Sequence, residues 1–305
     1  MLTIILFTQN QGETLSQILS DLDKIDNKIP IKIWIVNWGK PEKPIKKILS
    51  ANKNKELKFF KCNLKSFGKR YIKYLEKVKT KYVLHVGDDD RINYKNFSVL
   101  EKIITKNYSG ITISNSTFID RVNFKRNHTH KITNFEIEKH IHLTGFISSQ
   151  IINVQILQKA LFFKKKFRIT MYPQLFLIFF LIIKKGNWKM LQIDLIKNRI
   201  KNLRYLDKDY LLIRLNNEYQ GYLIPLQKYI SKSSNIYRLC YEKIFFKNIL
   251  SWINLNIKFN GKRKTYKLVL NNNRLKPFSL NVIFINFLII IIPNKFLNLI
   301  KNIIK

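Results

Sequence analysis

The chain begins with alternating apolar runs and helical stripes. Residues 3–8, TIILFT, form a short β-branched run with the composition of a strand buried on both faces. QNQGET turns the chain. Leu15, Ile18, Leu19 and Leu22 then recur at i, i+3, i+4 and i+7, the spacing of one helix face. Residues 31–37, IKIWIVN, predict a second strand, closed by Trp38-Gly39-Lys40-Pro41. Ile45, Ile48 and Leu49 predict a short helix, and LKFFKC (57–62) a third strand. Ile72, Leu75 and Val78 stripe another helix, and YVLHV (82–86) reads as a fourth strand. This alternation predicts a parallel α/β sheet with right-handed crossovers. Such sheets take ligands outside the C-terminal ends of their strands. Thr8 to Asn10, Asn37 and the aspartates at 88–90 are therefore expected to share one polar crevice.

Further along, SGITISNSTFID (109–120) predicts another strand, and residues 123–142 are polar and rich in histidine. HLTGFISSQIINVQIL (142–157) passes from a glycine turn into an apolar segment. YPQLFLIFFLII (172–183) is expected as a buried or membrane-touching helix, too short to span a bilayer. The tail differs from the rest. FSLNVIFINFLIIII (278–292) is almost wholly apolar, and Pro293 breaks it. Beyond the proline, Phe296, Leu297, Ile300, Ile303 and Ile304 share one helical face, with Lys295, Lys301 and Lys305 elsewhere. That is the pattern of a basic amphipathic helix lying in a membrane interface. A helix docked on its own domain, or a dimer contact, is the alternative. The expected division is a 1–205 α/β domain and a 206–305 helical, membrane-associating extension.

Composition narrows the partners. Lys and Arg number 56 against 19 Asp and Glu, a formal net charge of +37. Nucleic acid, an anionic membrane and a compositional bias all fit such a charge. Lysine is spread along the whole chain, and no zinc-finger, RRM or KH pattern is visible, so no nucleic acid is expected. Cys62 and Cys240 stand far apart without a CxxC partner, which fits a reducing compartment. The first residues lack a basic n-region and a small-residue cleavage site. They read as a strand and not as a signal peptide.

Against that charge, YVLHVGDDDRI (82–92) sets three carboxylates side by side after a strand. Without a cation they repel, and each raises its neighbours' pKa. Mg²⁺ or Mn²⁺ reverses this, taking one or two carboxylates plus phosphate oxygens and water. Transfer from a nucleoside diphosphate fits that chemistry. The alternative is an acidic turn capping the next helix.

TIILFTQN, IKIWIVNWG and KTKYVLHVGDDDRI, in that order, resemble the nucleotide-binding half of family-2 glycosyltransferases of the GT-A type. LTGFISSQII, YPQLFLI and IDLIKNRIKN look like the abequosyltransferase-like branch of O-antigen and capsule assembly. The resemblance covers roughly residues 1–205. It implies that Thr8, Asn10 and Asn37 lie beside the nucleotide. Asp90 is implied as the metal ligand, and Asp88 or Asp89 for the ribose hydroxyls or a metal-bound water, with Asp88 a second metal candidate. Arg199 is placed over the diphosphate, with Lys197, and Ser148 and Ser149 on the acceptor side. Relatives carry an acid near the helix that here begins TMYPQ, where this chain has none. The base is therefore sought among Asp120, Glu136, Glu138, His140 and His142, with His142 preferred. The implied partners are a nucleotide-sugar donor, a lipid-linked saccharide acceptor and a peripheral contact with the inner face of the cell membrane, with Mn²⁺ or Mg²⁺ as cofactor. A nucleotidyltransferase, a catalytically degenerate relative and a charge-driven nucleic-acid-binding protein are the competing readings.

Overall fold

The computed structural model describes residues 2–9, 12–25, 29–39, 56–64, 66–88, 90–114, 131–160, 172–198 and 208–273. The chain forms two units. One comprises Met1–Phe135 and Leu143–Lys201, the other Glu136–His142 and Asn202–Lys305.

The first unit begins with β1 (Leu2–Thr8), α1 (Gly12–Asp23), β2 (Ile31–Asn37), β3 (Glu56–Lys61), α2 (Phe67–Leu75) and β4 (Tyr82–Gly87). After β4 come β5 (Asp90–Ile92), α3 (Phe97–Ile104), β6 (Gly110–Ser114) and β7 (Lys131–Asn134). The short α4 (Ile137–His140) belongs to the second unit. A 3-10 turn, Ile147–Ser149, leads into β8 (Gln150–Asn153) and α5 (Val154–Ala160). α6 (Pro173–Phe180), β9 (Trp188–Gln192) and β10 (Ile196–Asn198) complete the described part.

Eight strands form one sheet in the order β3-β2-β1-β4-β8-β6-β9-β7, and β5 pairs with β10 in a second. β3, β2, β1 and β4 run parallel, as the alternating sequence pattern predicts. β8 reverses direction, antiparallel to both β4 and β6. β6 and β9 are parallel, and β7 closes the edge antiparallel to β9. With β8 and β7 antiparallel to their neighbours, the sheet is mixed and mostly parallel, as expected of the GT-A type.

The expected strand at 109–120 is β6, described as far as Ser114. The helix expected at 172–183 is α6, extended by a π-helical turn, Leu181–Lys185. Its whole α-helical part except Phe180 is buried in protein. Gly186 ends it with φ +61, a conformation glycine adopts without strain. The helix expected near Ile45 and the apolar and basic tail at 278–305 lie outside the described residues.

Every residue of β1 is buried. Its alternate side chains serve two different layers. Ile4 and Leu6 join Ile33, Ile35, Leu84, Val86 and the α1 stripe of Leu15, Ile18, Leu19 and Leu22 in one apolar cluster. On the opposite face, Phe7 stacks on His85 with ring centroids 5.8 Å apart, and Tyr71 of α2 packs on His85 at 4.4 Å. His85 is 1% exposed, and among the described residues neither ring nitrogen has a hydrogen-bond partner. Burial drives its pKa down to about 3, so the ring is neutral. Between β6 and β9 the fit is equally tight. A Cβ on Gly110 would run into the Trp188 ring, whose indole N–H donates to Thr112 Oγ1 at 2.9 Å.

The second unit is helical: α4, α7 (Lys208–Tyr229), α8 (Asn235–Ile244), α9 (Leu250–Asn260) and α10 (Lys262–Asn273). Ser234 caps α8, its hydroxyl accepting from Tyr237 N–H at 3.1 Å. Asn256 Nδ2 donates to Leu211 O at 2.8 Å and ties α9 to α7. Tyr219, Tyr222, Tyr237, Tyr241 and Phe245 fill its interior. Among the described residues no helix is long and apolar enough to cross a membrane.

The buried neutral histidine gives a pH signature. Unfolded His85 takes up a proton below about pH 6.5, while the folded ring does not until about pH 3. Stability therefore falls with acidity across that window, by about 1.4 kcal/mol per pH unit from this group. His85→Phe keeps the ring stack and removes the titration. Urea unfolding at pH 7 and pH 5 should show the variant gaining about 2 kcal/mol on the wild type as the pH is lowered.

Candidate active site

Strand register brings the site together. Thr8 pairs opposite Asn37, and Phe7 opposite Gly87, so β1, β2 and β4 end level with one another. Thr8 and Asn37 are both buried. Trp38 N–H donates to Thr8 O at 3.2 Å, and Cys62 N–H to Asn37 O at 2.8 Å, linking the ends of β1, β2 and β3. Asn37 Oδ1 accepts from Gly39 N–H at 2.9 Å. The asparagine thereby closes its own turn, a local bond its short amide makes easily.

Sequence reasoning passed over the next two residues. The Arg70 guanidinium lies 4.0 Å from the centre of the half-exposed Trp38 ring, a cation–π stack. Arg70 Nη1 donates to Leu64 O at 2.6 Å, and the residue is 4% exposed. Burial lowers its pKa from the usual arginine value. The signal was available. Arg70 sits among the buried positions of α2, between Gly68 and Tyr71, where a solvated arginine is not expected.

The acidic stretch divides between two elements. Asp88 stands in the turn after β4, half-exposed, and its Oδ2 accepts from Gln9 N–H at 3.1 Å. That bond fastens the acid to the end of β1. Asp90 opens β5 and is 2% exposed. Ser148 Oγ donates to Asp90 Oδ2 at 2.6 Å and accepts from Gly87 N–H at 2.9 Å. β5 itself is clamped twice. Asn198 of β10 pairs opposite Asp90, and Arg91 forms a two-pronged bond to Asp21 of α1 at 2.8 and 2.7 Å. The hydrogen bond to Asp21 raises the Arg91 pKa.

Asp88 and Asp90 suit a hard divalent cation. Among the described residues no group of three or more His, Cys, Asp or Glu side chains forms a metal cluster. Two carboxylates one residue apart are what Mg²⁺ or Mn²⁺ takes when phosphate oxygens and water complete the shell.

The other expected residues fall as follows. Ser148 and Ser149 are both buried, and both hydroxyls are hydrogen-bonded within the protein. Ser149 Oγ donates to Phe146 O at 2.8 Å and accepts from Gln150 Nε2 at 2.6 Å. His142 belongs to the second unit, where its carbonyl accepts from Tyr222 Oη at 3.0 Å and Asn248 Nδ2 at 3.2 Å. Glu136, Glu138 and His140 belong to that unit as well. Asn10, Asp89, Asp120 and Arg199 lie outside the described residues.

No protein-family model matches the sequence, and no curated protein does. Solved structures match the fold. S. aureus TarS 1-349 in complex with UDP-GlcNAc aligns with a TM-score of 0.65 at 12% identity, covering 90% of this chain and 81% of that one. The same protein in complex with UDP gives 0.63 at 14% identity, with the same coverage. The mannosyltransferase PcManGT from Pyrobaculum calidifontis, in complex with GDP-Man and Mn²⁺, gives 0.57 at 7% identity, covering 94% and 83%. At such identities the likeness establishes the architecture: a GT-A-like, mostly parallel sheet flanked by helices, with a helical C-terminal region.

The clamp on β5 is testable. Asp21→Ala strips Arg91 of its anion and is expected to cost about 1–3 kcal/mol in urea unfolding. Arg91→Lys loses the planar fork but keeps the charge, and should fall between that variant and the wild type.

Proposed function

We propose that this protein is a metal-dependent glycosyltransferase. It transfers a sugar from a nucleoside-diphosphate donor to a saccharide acceptor, with inversion at the anomeric carbon. One observation carries the reading. A D-x-D pair, Asp88 and Asp90, stands at the level ends of β1, β2 and β4 in a GT-A-like sheet, bonded to β1 through Gln9. That the aligned structures hold UDP-GlcNAc, UDP, and GDP-Man with Mn²⁺ supports the same reading.

The roles follow from position. Asp88 and Asp90 would hold Mg²⁺ or Mn²⁺, which neutralises charge on the departing diphosphate when bound. Thr8, Asn37 and the Trp38–Arg70 stack, at the ends of β1 and β2 and beside them, are assigned to the nucleoside side of the site. Asn10, Asp89 and Arg199 are assigned to the donor on the resemblance alone. His142, next in sequence to the 143–149 turn, is assigned as the base that takes the acceptor hydroxyl proton. The acceptor is proposed to be a lipid-linked saccharide of bacterial surface-polysaccharide assembly. The apolar and basic pattern of residues 278–305 and the charge of +37 support a place on the inner face of an anionic membrane.

Thermal unfolding with UDP, GDP, ADP and CDP, each with and without Mn²⁺, tests the core of this reading. One nucleotide should raise the melting temperature selectively, and more with Mn²⁺. Asp88→Ala and Asp90→Ala should each abolish the Mn²⁺-dependent part while the far-ultraviolet circular dichroism stays native. No rise with any nucleotide, together with steeply salt-dependent binding to arbitrary duplex DNA, would instead make this a charge-driven nucleic-acid binder.

A further inference from the structure

The hydroxyl of Ser148 sits between two groups of fixed polarity. Gly87 N–H can only donate, so Ser148 Oγ is the acceptor in that 2.9 Å bond. The single hydroxyl proton then goes to Asp90 Oδ2 at 2.6 Å, a short contact of the charge-assisted kind. The result is a one-way relay, backbone N–H to hydroxyl to carboxylate. Each bond in such a chain polarises the next. Ser148 is 0% exposed and Asp90 2%, so water does not substitute for either bond.

The turn that carries Ser148 is itself held by the sheet. Trp188 Nε1 donates to Thr112 Oγ1 at 2.9 Å, and Thr112 Oγ1 donates to Gln150 Oε1 at 2.9 Å. Gln150 Nε2 then donates to Leu143 O at 3.0 Å and to Ser149 Oγ at 2.6 Å. A buried polar line thus runs from β9 through β6 and β8 to Leu143 and Ser149, the residue next to Ser148. This is more structure than a small residue permitting close packing needs.

From this we infer that Ser148 is a positioning residue for the metal-binding acid. Through the Gly87–Ser148–Asp90 relay it fixes the orientation of the Asp90 carboxylate, and it does not contact the acceptor. The inference rests on the proposed role of Asp90 toward Mn²⁺ or Mg²⁺. Groups that orient a metal ligand typically contribute 10–100-fold to metal affinity.

The test is Mn²⁺ binding followed by the electron paramagnetic resonance of free Mn²⁺, with UDP or GDP present, whichever stabilises the wild type more. Ser148→Ala should weaken Mn²⁺ binding roughly 10–100-fold, with native circular dichroism and no change in the acceptor KM. Ser148→Thr keeps the hydroxyl and should recover most of the affinity. Ser148→Cys keeps the size but donates poorly and should resemble the alanine variant. Should the alanine variant fail to fold, the threonine and cysteine pair decides the matter. Wild-type Mn²⁺ affinity in Ser148→Ala, or equal affinity in the threonine and cysteine variants, overturns the inference. So does a raised acceptor KM at unchanged Mn²⁺ affinity. Asp90→Ala separates the two levels. If it binds Mn²⁺ like the wild type, the role of Asp90 fails. If it loses Mn²⁺ while Ser148→Ala does not, only the relay fails.

Discussion

Two carboxylates, on residues flanking a single position, must be held at the end of a buried sheet in spite of their mutual repulsion. Much of the first unit's local structure answers that constraint. Asp88 is fastened to β1 by Gln9 N–H, and Asp90 is met by the Ser148 hydroxyl. Between them the chain changes sheets, leaving β4 for the two-stranded β5–β10 pair. Asp88 is half-exposed and Asp90 is buried. The buried acid would be costly on a free loop, because an anion out of water needs donors in fixed places. Pairing with β10 and the Arg91–Asp21 clamp supply that rigidity from outside the acidic stretch.

The parts of the fold that follow from local patterning were legible in the sequence. β1, β2, β3 and β4 were read from short apolar runs and the stripe of α1 from a period of 3.6 residues, signals that lie within each segment. The parts that depend on distant partners were not legible. Nothing in QIIN distinguishes a parallel strand from an antiparallel one, and the direction of β8 is set by its pairing with β4 and β6, strands far away in sequence. Ser148 looked like a small residue beside a ligand, and its bond to an acid 58 positions away cannot be seen in the local sequence. Arg70 and Trp38 meet only because α2 lies across the ends of the strands. His85 shows the reverse case. Its apolar neighbours predicted burial correctly, yet the lack of a hydrogen-bond partner for its ring nitrogens among the described residues is a tertiary fact.

The net charge takes on a different meaning once the acids are located. Several of the 19 acidic residues are committed to structural pairs: Asp21 to Arg91, Glu56 to Lys32 and Glu218 to Arg214. Asp88 and Asp90 are instead gathered where strands end. In a chain of charge +37 the far field draws anions in from every side. On the proposed function, a diphosphate arriving at the strand ends meets two carboxylates. A divalent cation resolves this conflict, because it binds the acids and the phosphates with the same kind of oxygen ligand. The long-range charge is screened by salt, with a Debye length of roughly 8 Å at physiological ionic strength, whereas contacts inside the crevice are screened far less. On the proposed function, the dispersed lysines would govern how often an anionic donor arrives, and the acids with their cation whether it stays.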